Sequence, residues 1–138
     1  MSALRTWLAL AVTTFAGLGA GYHGYLQTHP RQVVVVVDSS YPMLEVWPQV
    51  ASVLDDLGRR RYTQFFLSTE KSVVHEWSDR LQTGRITPYA PRDFSRLNGL
   101  LPPAANAEVY FLTNAESALT ESFAGWHVIR LTRPHSSN

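Results

Sequence analysis

Two short polar clusters, each directly after an apolar run, carry the chemically capable side chains of this 138-residue chain. Asp38-Ser39-Ser40 follows Val33–Val37, and Thr113-Asn114 follows Glu108–Leu112. One carboxylate, several hydroxyls and one amide make an oxygen-rich set, suited to the donors of a binding partner or to a hard cation. Asp38 alone could also serve as an aspartyl nucleophile. That chemistry wants a second acid close by, and residue 40 is Ser. Each residue has a structural role open to it as well. Asp38 and Ser40 are types that bind backbone amides in a tight turn. Thr113 and Glu116 form T-x-x-E, the pattern of a helix-capping box.

Other chemistries lack their residues. The chain has no cysteine, which excludes disulfides, thiolate metal sites and a cysteine nucleophile. His23, His29, His75, His127 and His135 show no metal-ligand spacing. There is no G-x-S-x-G elbow and no phosphate-binding G-x-x-x-x-G-K-[ST] loop, and Lys71 is the only lysine. Asp38, Ser40 and His75 make a triad on paper that sequence separation cannot test. Lys and Arg total 12, and Asp and Glu total 11. With Arg5 set aside, the 108 residues after Pro30 carry eleven of each sign. That balance argues against a nucleic-acid partner, which needs a surplus of cations.

The elements that must position the clusters alternate between strand and helix. Val33–Val37 is an unbroken β-branched run, the pattern of a strand covered on both faces. Asp38 to Trp47 reads as mixed loop and turn. Met43, Val46, Trp47, Val50, Val53, Leu54 and Leu57 form a helical stripe, with the regular helix starting near Pro48 and stopping at Gly58. Arg59-Arg60-Arg61 suits the negative end of that helix. Tyr62–Leu67 and Ser72–Trp77 read as strands joined by a hairpin, and Arg80–Pro91 as a loop. A helix is expected over Arg92–Leu101, a strand over Glu108–Leu112, a short helix through Ala118, Leu119 and Phe123, and a last strand over Trp126–Leu131. Trp47, Trp77 and Trp126 read as packing residues. The fold class is α/β: a mainly parallel sheet of about five strands with helices on both faces. In such sheets ligands bind beyond the carboxyl ends of the strands, where both polar clusters stand.

Residues 1–30 form a separate segment from the α/β domain of residues 31–138. Trp7–Leu26 has no formally charged side chain over 20 residues, about the length that crosses ~30 Å of hydrocarbon as a helix. Trp7 at one end and Tyr22 and Tyr25 at the other suit the two interfaces. The full length fits an uncleaved anchor better than a signal peptide cut among Gly17–Gly21. Arg5 places the amino terminus in the cytoplasm and the domain on the extracytoplasmic, periplasmic side of a single-pass membrane protein. Gly19, Gly21 and Gly24 spell G-x-G-x-x-G without the strand and helix a dinucleotide site requires. Gly17 and Gly21 would let two copies of the helix approach closely.

The α/β part resembles a von Willebrand factor A-type domain over Gln32 to Leu131. The resemblance rests on Val33–Val37 leading into Asp38-x-Ser40-x-Pro42-Met43, on Phe65-Phe66-Leu67-Ser68 before a hairpin, and on Val109-Tyr110-Phe111-Leu112-Thr113-Asn114. The family pattern is Asp-x-Ser-x-Ser, a loop Thr and a later Asp, which hold a divalent ion, usually magnesium. Asp38 and Ser40 match. Pro42 stands at the second serine, Asn114 at the later Asp, and the loop threonine is Thr83 or Thr87, with Thr87 preferred. The resemblance therefore implies a degenerate metal site with Asp38, Ser40 and Thr87 as its metal-facing residues. The surface around Asp38, Ser39, Ser40, Thr87, Thr113 and Asn114 is expected to bind a protein partner of the membrane or cell envelope. Mg2+-dependent adhesion and a small periplasmic hydrolase built on Asp38 are the alternatives.

Overall fold

The computed structural model describes residues 2–84, 86–104, 106–116 and 123–133. The chain divides into two compact units at Pro30. The first contains one helix, α1 (Ala3–Thr28), which is 26 residues long and buries none of its side chains. At 1.5 Å per residue it is ~39 Å long, enough to cross a membrane. Its length and apolar composition suit a membrane anchor or a signal sequence. Gly19, Gly21 and Gly24 lie inside this continuous helix, so they form no phosphate-binding turn.

The second unit is an α/β sheet structure built outward from β1 (Arg31–Val37). β2 (Thr63–Thr69) and β4 (Glu108–Thr113) flank β1, and both run parallel to it. β3 (Val73–Ser78) pairs antiparallel with β2, and β5 (His127–Arg130) pairs parallel with β4. The order is β3-β2-β1-β4-β5, a five-stranded, mostly parallel sheet. The valines explain why β1 is central. All five are buried, and alternation along a strand sends them to opposite faces. Val33, Val35 and Val37 join Phe65 and Leu67 beneath α2 (Trp47–Gly58). Val34 and Val36 join Phe66, Phe111, Phe123 and Leu97 on the other face. That second face is closed by aromatic rings. Phe111 meets Phe94 edge-on at 5.2 Å, and Phe123 lies 5.0 Å away.

Trp47, Trp77 and Trp126 all pack against these two cores. The segment expected as mixed loop and turn contains a 3-10 helix, Tyr41–Val46, that buries Met43 and Val46. α2 starts at Trp47 with Pro48 in its first turn, where a missing N–H costs nothing. The helix expected over Arg92–Leu101 is corrected to one turn, α3 (Leu97–Leu100). Its first half is withheld from the helix because Arg92 is committed to a tertiary contact and Ser95 N–H bonds to Asp93. The helix expected through Ala118 and Leu119 lies outside the described residues.

The register places the chemistry. Val37 stands opposite Thr69 on one side and Leu112 on the other. Asp38 therefore emerges between the carboxyl ends of β2 and β4, and its N–H still donates to Leu112 O at 2.9 Å. Phe111→Ala should cost about 3–5 kcal/mol, because it removes the ring at the centre of the aromatic face. Urea unfolding followed by tryptophan fluorescence checks this. A loss below about 1 kcal/mol would mean that this face is not packed as described.

Candidate functional site

Asp38 is fully buried at the end of β1, and donors surround its carboxylate. Ser40 gives Oδ1 two hydrogen bonds, from its backbone N–H at 3.0 Å and from its hydroxyl at 2.5 Å. Thr113 Oγ1, from the end of β4, donates to Oδ2 at 2.7 Å. Arg92 Nη2 donates to the same oxygen at 2.9 Å. A buried carboxylate without such partners would cost several kcal/mol, and this one has four donors and a counter-charge.

Arg92 also donates to Asn114 Oδ1. Asn114 Nδ2 in turn donates to Pro42 O at 2.6 Å. One guanidinium thus bridges the two polar clusters that follow β1 and β4. The Arg92 side chain is 22% exposed, and its Nε is buried with no hydrogen-bond acceptor.

Ser39 faces a different set of groups. Its N–H and its hydroxyl both donate to Glu70 Oε2, at 2.7 and 3.1 Å. Lys71 Nζ donates to Ser39 O and to Ser39 Oγ, both at 3.1 Å, and pairs with Glu70. Glu70 is buried and Lys71 lies 4.6 Å from the centre of the Tyr89 ring. Because Glu70 holds the ammonium charge and Ser39 is only 1% exposed, this trio is a polar staple between β1 and the β2–β3 turn.

The described residues from Asp79 to Arg96 form no helix or strand and run across this end as a strap. Tyr89 N–H donates to Ser39 O at 2.7 Å, and Tyr41 N–H donates to Ala90 O at 3.0 Å. Ala90 adopts φ 67°, a conformation L-residues rarely take, so these contacts hold a strained point of the chain. Further along, the Ser95 hydrogen bonds and the Arg96 charge hold the Asp93 carboxyl below its ordinary range despite slight desolvation. That turn is therefore supported above the usual carboxylate pKa and loosens as pH falls through the lowered value.

Of the residues expected at the site, the structure brings Asp38, Ser40, Thr113 and Asn114 into one network. Ser39 belongs to the adjacent staple. Thr87 lines a hollow of about 310 Å³ together with Ser39, Thr69, Ser72 and Tyr89, and makes no hydrogen bond to Asp38. Thr83 lies elsewhere, in a hollow against Trp47, Val50 and Leu54. His75 does not join Asp38. Its Nε2 accepts from Gln82 N–H at 3.1 Å, which leaves Nδ1 to donate to Glu76 O at 2.7 Å. Thr113 combines both roles open to it, since its hydroxyl also accepts from Ala115 N–H at 3.0 Å.

Sequence reasoning missed Arg92, Glu70 and Lys71. Arg92 read as the start of a helix, and Glu70-Lys71 as a hairpin connection. The available signal was the single acid at a buried strand end, which requires a cation from somewhere in the chain.

These residues do not fit the divalent ion that the family resemblance implies. Both Asp38 oxygens are engaged, Pro42 has no side-chain oxygen, and Asn114 is neutral. The unpartnered Arg92 Nε calls for an acceptor, not for a second cation. Among the described residues no group of three or more His, Asp or Glu side chains converges. Compared with known proteins, the chain matches no family model, no curated protein and no solved structure.

The Asp38–Arg92 pair gives a double-mutant cycle. Asp38→Asn and Arg92→Met should each cost about 3–5 kcal/mol, since each leaves one charge or donor set stranded. The double variant should cost at least about 1 kcal/mol less than the two together. Additive losses in urea unfolding would mean that the pair is not coupled.

Proposed function

We propose that this chain is a membrane-anchored binding module of the von Willebrand factor A type, and that it takes a protein partner on its carboxyl-end rim without catalysis. Its membrane anchor is α1, crossing once, with the amino terminus cytoplasmic beside Arg5 and the α/β unit on the periplasmic side. The strand order and the Asp38-x-Ser40 and Thr113-Asn114 pairs at adjacent strand ends support the kinship.

One observation carries the binding role. Among the described residues from Arg31 onward, the exposed large apolar side chains are Tyr41, Leu44, Val73 and Tyr89. All four belong to the same end of the sheet. Tyr41 and Leu44 lie in the 3-10 helix after β1, Val73 pairs with Ser68 near the end of β2, and Tyr89 bonds to Ser39. Apolar and aromatic side chains around a rigid polar centre are the composition of a protein interface. Asp38 as a nucleophile is not favoured, because a reacting oxygen needs an open lone pair and a path for substrate.

The test uses the full chain in its membrane. Photo-crosslinking side chains placed at Tyr41 and at Tyr89 should give the same adduct. The same group at Arg59, beyond the opposite end of the sheet, should give none. Tyr89→Ala should lower the yield about tenfold, as expected for an aromatic anchor. Equal adducts from all three positions, or none from the rim, would remove this reading. Protease added to spheroplasts, with the outer membrane opened, should cut the α/β unit, and full protection there but not after lysis would reverse the orientation.

A further inference from the structure

We infer that Arg92 is the resident cation of this site, and that Arg92, Asn114 and Pro42 form one coupled replacement for a metal-binding arrangement. The geometry supplies the argument. Arg92 Nη2 reaches Asp38 Oδ2 at 2.9 Å and also bonds to Asn114 Oδ1. Those are the two positions at which the resemblance would set acidic residues around an ion. A guanidinium there brings one positive charge to one carboxylate, and the pair is neutral. Two carboxylates would suit a divalent ion better.

Asn114 is matched to this arrangement in a way an acid would not be. Its Nδ2 donates to Pro42 O at 2.6 Å, which fixes the amide so that Oδ1 faces Arg92. An aspartate at 114 would turn an oxygen toward the Pro42 carbonyl, and two acceptors would face each other. Position 42 contributes only its backbone carbonyl here, so a proline, with no side-chain oxygen, serves as well as a serine. The two departures from the family pattern, at Pro42 and Asn114, are thus both compatible with Arg92 in the place of the ion. The unpartnered Nε strengthens the exclusion, because a buried donor beside the site repels an added cation.

The consequence is a rim that is permanently assembled. A divalent ion can leave, but Arg92 is part of the strap that carries Tyr89 and cannot diffuse away. The surface is then independent of metal concentration. This inference uses the resemblance only for the ion that is displaced, and a failure to capture any partner would leave it standing.

Mn2+ itself is the probe, titrated calorimetrically into the full chain in detergent, with melting temperature as the second readout. The wild-type chain should bind no Mn2+, and millimolar Mg2+ or Mn2+ should leave its melting temperature unchanged. Asn114→Asp alone, with Arg92 in place, should also bind none. The triple variant Pro42→Ser, Arg92→Ala, Asn114→Asp should bind about one Mn2+ and melt several degrees higher with the metal than with a chelator. Should that variant fail to fold, Arg92→Lys and Arg92→Met decide the matter. Lysine keeps the charge and should melt close to wild type, whereas methionine should melt lower by about 8 °C or more. Wild-type Mn2+ binding that Asp38→Asn abolishes would overturn the inference. So would Mn2+ binding by Asn114→Asp alone, or a methionine variant that melts with wild type.

Discussion

The end of this sheet depends on the satisfaction of one buried carboxylate. Five valines drive β1 into the middle of the fold, and burial on both faces gives them no alternative position. The next residue is therefore delivered to a place without water, and it is an aspartate. A lone carboxylate there would be intolerable, and neighbouring elements are arranged around it. Ser40 bends the chain back to bond to it, Thr113 reaches it from β4, and Arg92 crosses from the strap to neutralise it. The Glu70–Lys71 staple treats Ser39 in the same manner one residue further on. The strap has no regular secondary structure of its own, so its path follows from these polar commitments and from its two backbone bonds to Ser39 and Tyr41.

That constraint also accounts for the distribution of the surface. The Asp38, Ser39, Ser40, Glu70 and Thr113 side chains at the rim are buried and bonded within the fold. Tyr41, Leu44, Val73 and Tyr89 surround them on the outside. A rigid, internally neutral centre with an apolar border is suited to recognition by shape. Both Asp38 oxygens already accept hydrogen bonds from within the fold. The proposed binding role rests on this buried centre and on the apolar side chains beside it.

Much of the framework was legible in the residues themselves. Val33–Val37 announced a strand covered twice, and the stripe from Met43 to Leu57 announced the helix above it. The hairpin and the strand at Glu108 were also readable, because burial and turn chemistry are local signals. Asp38 and Thr113-Asn114 could be placed at the carboxyl ends of two strands from the order of elements, and beside each other only through the family resemblance. The failures share a physical origin. Phe94, Leu97 and Leu101 have helical spacing, yet Arg92 and Asp93 are held by bonds that periodicity does not register, and only one turn forms. Arg92, Glu70 and Lys71 are ordinary charged residues in loops, and their role comes from partners 22 to 54 positions away. Such pairing is a property of the assembled fold, and no local pattern encodes it.

Arginine side-chain NMR of the full chain, labelled with 15N, tests the Asp38–Arg92–Asn114 bridge most directly. The account predicts that Arg92 Nη2 protons are resolved, exchange slowly with water and show proximity to the Thr113 methyl group. Asp38→Asn should shift them strongly. Arg92 signals that average rapidly and coincide with those of exposed Arg59 would contradict it, since a guanidinium free to rotate cannot be the cation on which this rim is built.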